Sequence, residues 1–265
     1  MTGSALYSDP ALARFYDLEN GWGADFDFIR ATARPGSSVL DLGCGTGELA
    51  AGLAETCRVT AVDPAPAMLD IARARDGGRA RGGGGAVDWR LGDARVLDLD
   101  QRFDLVVLTG HAFQVFLTPG DQAAVLATIA RHLAPGGRFL FDSRNPKVAA
   151  WRRWTPEASR RTIVDPVLGE LVAWNDVRQD PATGVVTYET FYQAGDRRLA
   201  ASADLRFSTQ AELADLIAAA GLGVERWLGN WTGAPFTPDA PEIIPIGAAP
   251  HPSPLPKGAR GQSEP

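Results

Sequence analysis

The chain has 265 residues, 45% of them hydrophobic and 22% charged, which suits a folded domain whose core needs no covalent staples. Its formal net charge of −6 argues against a broad phosphate-binding face, and its two cysteines, Cys44 and Cys57, exclude a disulfide framework or a Cys-built zinc site. No stretch approaches the ~20 apolar residues of a membrane span, and the N-terminus lacks an apolar signal core, so a cytoplasmic setting is expected.

Leu12, Phe15 and Tyr16, then Phe26, Phe28 and Ile29, recur at helical spacing and predict helices over 8–19 and 24–33. Strand and helix then alternate. Strands are predicted at 38–42, 58–62, 86–91, 103–108 and 138–141, with helices over 46–56, 66–75 and 119–133 between them. The Arg- and Gly-rich stretch 73–85 reads as a solvated loop. Residues 160–207 switch to period-two patterning, with Val186, Tyr188, Thr190 and Tyr192 on one face, and predict three or four antiparallel strands. A helix over 208–220, with Ser208 as its N-cap, and strands near 223–229 and 242–247 complete the pattern. The tail 250–265 has a disordered composition. Such alternation implies an α/β fold: a mostly parallel sheet with helices on both faces, plus an antiparallel β insertion after the fifth strand.

The turn after the first strand carries the chemistry. Asp41-Leu42-Gly43-Cys44-Gly45-Thr46-Gly47-Glu48 lets a ligand approach backbone closely, because glycine has no Cβ. A dinucleotide fingerprint needs its third glycine where Glu48 stands. A carboxylate at that helix N-terminus disfavours a pyrophosphate, so a nucleoside without phosphate fits better. Asp63 ends the second strand, placed to accept ribose hydroxyls, and Asp93 with the Ala94 backbone ends the third, placed to read an adenine edge.

These segments, with Val62-Asp63-Pro64-Ala65-Pro66-Ala67-Met68-Leu69 and residues 103–116, resemble the successive motifs of class I S-adenosylmethionine-dependent methyltransferases. Phe15-Tyr16-Asp17-Leu18-Glu19-Asn20 and Thr109-Gly110-His111-Ala112-Phe113 resemble the small-molecule branch, such as glycine and sugar-amine N-methyltransferases. The resemblance implies a Rossmann-like seven-stranded sheet and a site for S-adenosylmethionine, leaving as S-adenosylhomocysteine. Its contacts would be Tyr16, Asp41, Gly43, Cys44, Gly45, Asp63, Pro64, Met68, Asp93, Ala94, Thr109, Gly110 and His111. The organisation implied is a helical lid over 1–37, with Tyr16 near the methionine end. A cofactor-binding core follows over 38–150 and 208–249, and a substrate lobe over 151–207.

For the methyl acceptor, His111 is the candidate base, with simple hydrogen bonding to backbone or cofactor as its other reading. Tyr16 and Arg144 are the other candidates for the chemistry. Arg144 could grip a substrate carboxylate or pair with a neighbouring acid. Phe113, Arg144 and Trp231 are the expected pocket residues, and Trp151, Trp154, Trp174, Tyr188 and Tyr192 wall the pocket or form the core of the insertion. Asp142 and Asn145 follow the fifth strand, but the fourth offers no carboxylate, so no metal is expected. A small-molecule substrate, methylated at N, O or C by in-line displacement, is the expected partner, without nucleic acid or membrane, on a monomer or homodimer. The competing readings are a tRNA or protein methyltransferase, a catalytically silent cofactor-binding module, and an NAD-dependent oxidoreductase.

Overall fold

A computed structural model describes residues 9–77 and 85–249; the tail from 250 and most of the Arg- and Gly-rich loop lie outside the described residues. The elements in chain order are α1 (Pro10–Ala13), α2 (Tyr16–Glu19), α3 (Ala24–Thr32), β1 (Ser38–Leu42), α4 (Glu48–Leu53), β2 (Arg58–Asp63), α5 (Pro66–Gly77), β3 (Asp88–Leu91) and β4 (Phe103–Leu108). There follow α6 (Pro119–His132), β5 (Leu133–Phe141), β6 (Ser143–Arg144), β7 (Arg161–Asp165), β8 (Gly169–Gln179), β9 (Val186–Ala194), β10 (Arg197–Leu205), α7 (Gln210–Ala219), β11 (Gly223–Leu228) and β12 (Glu242–Ala248).

The main sheet runs β11-β12-β5-β4-β1-β2-β3. Its first five strands in sequence pair in parallel, and β12 lies antiparallel between β5 and β11. Chain order reverses between β1 and β4, the place where open α/β sheets bind ligands. Both faces are packed. Leu40, Leu42, Val106 and Phe139 meet α6 and α7 on one side. Val39, Leu105, Val107 and Leu140 meet α3 and α4 on the other. This two-sided burial explains why Val-Leu-Asp-Leu and Phe-Asp-Leu-Val-Val-Leu read as continuous apolar runs.

β7 to β10 form a separate antiparallel sheet in the order β10-β9-β8-β7. Its inner face, Ile163, Leu171, Ala173, Tyr192 and Ala201, shares a core with Leu12 and Phe15 of the N-terminal segment. The predicted helix 8–19 is therefore two short turns. Phe15 is fully buried against the Tyr192 ring at 4.6 Å, and this docking sets its backbone in place of helical continuity.

Other boundaries shift for local reasons. α4 starts at Glu48 because Gly47 is left-handed, with φ +77. A side chain at Gly47 would also meet the Trp89 ring at 2.4 Å. β5 starts at Leu133, which pairs with Phe103, with a register shift before Arg138. The N-cap of α7 is Thr209, in a capping box with Glu212, and not Ser208. Ser208 is buried and exchanges hydrogen bonds with the Gln122 amide. Among the described residues, no helix is long and apolar enough to cross a membrane.

Candidate active site

The carboxyl ends of β1, β2, β3 and β4 open into a cavity of about 930 Å³, roofed by the N-terminal turns and walled on its far side by the inserted sheet. This is near the upper end of the roughly 300–1,000 Å³ usual for ligand sites.

The glycine turn forms the floor. Gly43 and Gly45 adopt φ +73 and +53, a region costly for residues with a Cβ. The Gly43 and Cys44 amides donate to the Val62 carbonyl, which ties the turn to β2. Asp63 accepts from Gly45 N at 2.9 Å with one oxygen and from Ala65 N at 2.8 Å with the other. Asp41 lies behind the turn, where burial and then the Asp63 charge push its carboxyl up to about 7. Burial raises Asp63 as well. No basic side chain forms an ion pair with either acid among the described residues. Two buried acids at one wall favour a ligand that brings positive charge, as a sulfonium with an ammonium group does.

Pro64, Met68 and Ala94 line the same cavity. Asp93 is held by the forked guanidinium of Arg95, whose hydrogen bonds lower its carboxyl below the usual range. Arg95 also reaches Asp121 at 3.0 Å. From the roof, the Tyr16 ring lies 3.8 Å from where a Gly45 side chain would begin, and its hydroxyl 3.5 Å from the equivalent point at Gly110. Three latches hold the roof down. Asp17 takes the Thr46 hydroxyl and the Arg75 guanidinium. Glu19 takes Arg161 at 2.6 Å and the Tyr192 hydroxyl at 3.0 Å. Arg14 forks onto Asp165.

His111 follows Gly110 in the turn after β4, and both are left-handed, at φ +60 and +67. Asp142 at the end of β5 holds that turn, because its Oδ1 accepts from His111 N at 3.0 Å. The imidazole Nε2 lies 3.1 Å from Glu242 Oε2 and 3.4 Å from Asp142 Oδ2. Burial raises the Asp142 carboxyl, against the pull of His111. One ligand-type atom from each of the three residues lies within 4.8 Å of the others, a spacing open to a cation although no metal is expected from the sequence. Glu242 begins β12 and pairs across to Arg144 of β6, which brings it to His111. Arg144 donates to Gln114 Oε1 at 3.0 Å and lies 5.2 Å over the Trp154 ring. Among the described residues no carboxylate forms an ion pair with it, so its reading as half of an acid pair is set aside.

The structure thus gathers Tyr16, Asp41, Gly43, Cys44, Gly45, Asp63, Pro64, Met68, Asp93, Ala94, Thr109, Gly110, His111 and Arg144 around one cavity and its side recess. Two expected pocket residues fall elsewhere. Phe113 is fully buried in the main core, stacked on Phe141 at 4.3 Å, because the short 3-10 turn after His111 points it inward. Trp231 packs edge-on to Phe28 at 5.8 Å, against the core on the α3 and α4 face of the sheet. Trp154, Tyr188 and Tyr192 line the cavity instead, while Trp174 stacks on Phe191 and does not line it. Sequence patterning missed Glu242, Glu19 and Arg161. The only signal for Glu242 is a carboxylate opening an otherwise apolar strand.

The family described as "Methyltransferase domain" matches residues 39–137. The cypemycin N-terminal methyltransferase of a Streptomyces species is 30% identical over 250 residues, covering 92% of this chain and 98% of that relative. An amino pentose methyltransferase from Micromonospora echinaspora, solved with S-adenosylmethionine bound, superposes with a TM-score of 0.61 at 25% identity, over 87% of this chain and 93% of the other. The CcbJ methyltransferase of Streptomyces caelestis shares the fold, with a TM-score of 0.72 at 22% identity, over 92% and 98%. Buried acids behind a glycine turn, the switch-point cavity above them and a full-length relative agree: this chain belongs to the S-adenosylmethionine-dependent methyltransferases.

Proposed function

We propose that this enzyme methylates a nitrogen on a small acceptor, with His111 taking the acceptor's proton. The observation that carries this reading is the position of His111 on the wall shared by the glycine-turn recess and the aromatic side of the cavity. The names of the relatives, an N-terminal methyltransferase and an amino pentose methyltransferase, support nitrogen.

S-adenosylmethionine, when bound, supplies an electrophilic methyl group and leaves as a neutral thioether. The protein therefore aligns its ligands, excludes water and handles one proton. Gly43, Cys44, Gly45, Thr109 and Gly110 offer backbone to the cofactor. Asp41 faces its positive end, Asp63 its ribose, Asp93 and Ala94 its adenine, and Pro64 and Met68 its flat faces. Tyr16 closes over the methionine end. Trp154, Tyr188 and Tyr192 wall the acceptor, and Arg144, stacked on Trp154, is free to take an anionic group of it. The roof latched over the cavity and the acidic net charge both favour a small acceptor over a nucleic acid. Free Cys44 and Cys57 suit a reducing cytoplasm.

Calorimetry with S-adenosylhomocysteine, followed by transfer of labelled methyl to a panel of amines, phenols and alcohols, tests this. Binding of the thioether, amine labelling and its loss in His111→Ala are expected. Failure to bind it, or His111→Ala turning over like the wild type, removes the reading.

A further inference from the structure

We propose that Glu242 decides which ring nitrogen of His111 accepts the proton: Glu242, assisted by Asp142, holds Nε2 protonated and leaves the lone pair on Nδ1. The inference rests on the reading of His111 as the base and adds a positioning residue to it.

A neutral imidazole carries one N–H and one lone pair. Nε2 faces two carboxylate oxygens, at 3.1 Å on Glu242 and 3.4 Å on Asp142. An N–H there donates, whereas a lone pair there would point at an acceptor. Glu242 has the nearer oxygen and is 18% exposed. Nδ1 makes no hydrogen bond among the described residues. The main chain of His111 is fixed too, through its N–H to Asp142. Asp142 thus sets the backbone and Glu242 sets the proton.

His132 provides the contrast. Its Nδ1 lies 2.8 Å from the Thr128 carbonyl, and its Nε2 accepts from Leu99 N at 3.0 Å. That buried ring is held in the opposite tautomer with both nitrogens used, so it can serve only structure.

The proton step balances simply. The N–H bond of an acceptor ammonium breaks, its electron pair stays on the acceptor nitrogen, and the proton bonds to Nδ1. The resulting imidazolium keeps Nε2–H on Glu242, so its positive charge forms beside two acids. The other charged or titratable groups around the recess are Tyr16, Asp25, Asp41, Cys44, Glu48 and Arg144.

The chain contains three histidines, which makes a direct readout practical. Long-range proton–nitrogen correlation on the uniformly ¹⁵N-labelled full chain, with and without S-adenosylhomocysteine, reports the tautomer of each ring; His111→Gln assigns the signal. The expected spectrum shows His111 with Nε2–H and His132 with Nδ1–H. Glu242→Ala, confirmed folded by circular dichroism, collapses His111 to an averaged pattern, while Glu242→Gln, whose amide oxygen still accepts, restores Nε2–H. An Nδ1–H or averaged His111 in the wild type, or a pattern unchanged in Glu242→Ala, overturns the proposal. So does displacement of the His111 Nε2 signal by added Mg²⁺ or Zn²⁺ alone, since the three residues would then hold a cation. Calorimetry on the same sample separates the two claims: a chain that does not bind the thioether fails as a methyltransferase whatever its tautomer.

Discussion

Asp41→Asn should stabilise the ligand-free protein, and by more as pH rises. Burial and the neighbouring Asp63 charge lift the Asp41 carboxyl from 3.8 to about 7 in the fold. The folded-state value lies above the unfolded one, so ionisation opposes folding. That opposition is absent below about pH 4, grows through the interval to about 7, and is complete above it. At about 1.4 kcal/mol per pH unit the full effect is about 4 kcal/mol. A chain of this size shifts its Tm by roughly 2–4 °C per kcal/mol. The gap in Tm between the Asp41→Asn variant and the wild type should therefore widen by roughly 7–14 °C from pH 4.5 to pH 8, then stay flat. Differential scanning calorimetry across that range measures it. Saturating S-adenosylhomocysteine should narrow the gap at pH 8, because its ammonium compensates the Asp41 carboxylate that the variant lacks. A gap independent of pH, or an Asp41→Asn variant that is the less stable at pH 8, would refute the reasoning.

Asp63→Ala should weaken S-adenosylhomocysteine by about 10-fold or more by calorimetry, the scale of a lost charged hydrogen-bond pair; unchanged affinity would place the ribose elsewhere. Asp17→Asn loosens the latch on Thr46 and Arg75, and at about 1 kcal/mol for a part-exposed pair should speed thioether release ~5-fold in stopped flow. An unaltered rate would mean that the roof opens elsewhere. Phe113→Ala should cost about 3–5 kcal/mol in urea unfolding, as expected of a core ring; near-neutral stability would return Phe113 to the pocket.

What was legible in the sequence was local. The strand ends at Asp41, Asp63 and Asp93 could be read because glycine turns and apolar runs of strand length are short-range signals. The insertion could be read from its period-two faces. Glu242 could not. It lies 131 residues from His111 and meets it only through the register of β12 on β6. The roof was misread as one helix for the same reason: Phe15 and Arg14 answer to partners more than 150 residues away, Tyr192 and Asp165, and those partners override a helical period. Phe113 and Trp231 failed in another way. An aromatic two or three residues from a glycine suits a pocket wall and a core equally well, and only the direction of the turn decides between them.

The position of β12 also has a consequence for synthesis. This strand is the last regular element described, yet it is threaded between β5 and β11 and delivers Glu242 to a turn made far earlier. Before it has left the ribosome, a nascent chain can build the whole glycine floor and most of the parallel sheet. It still lacks the partner of His111 and leaves an edge of β5 unpaired. With His111 as the base, a chain truncated between β11 and residue 242 should bind the nucleoside more readily than it turns over.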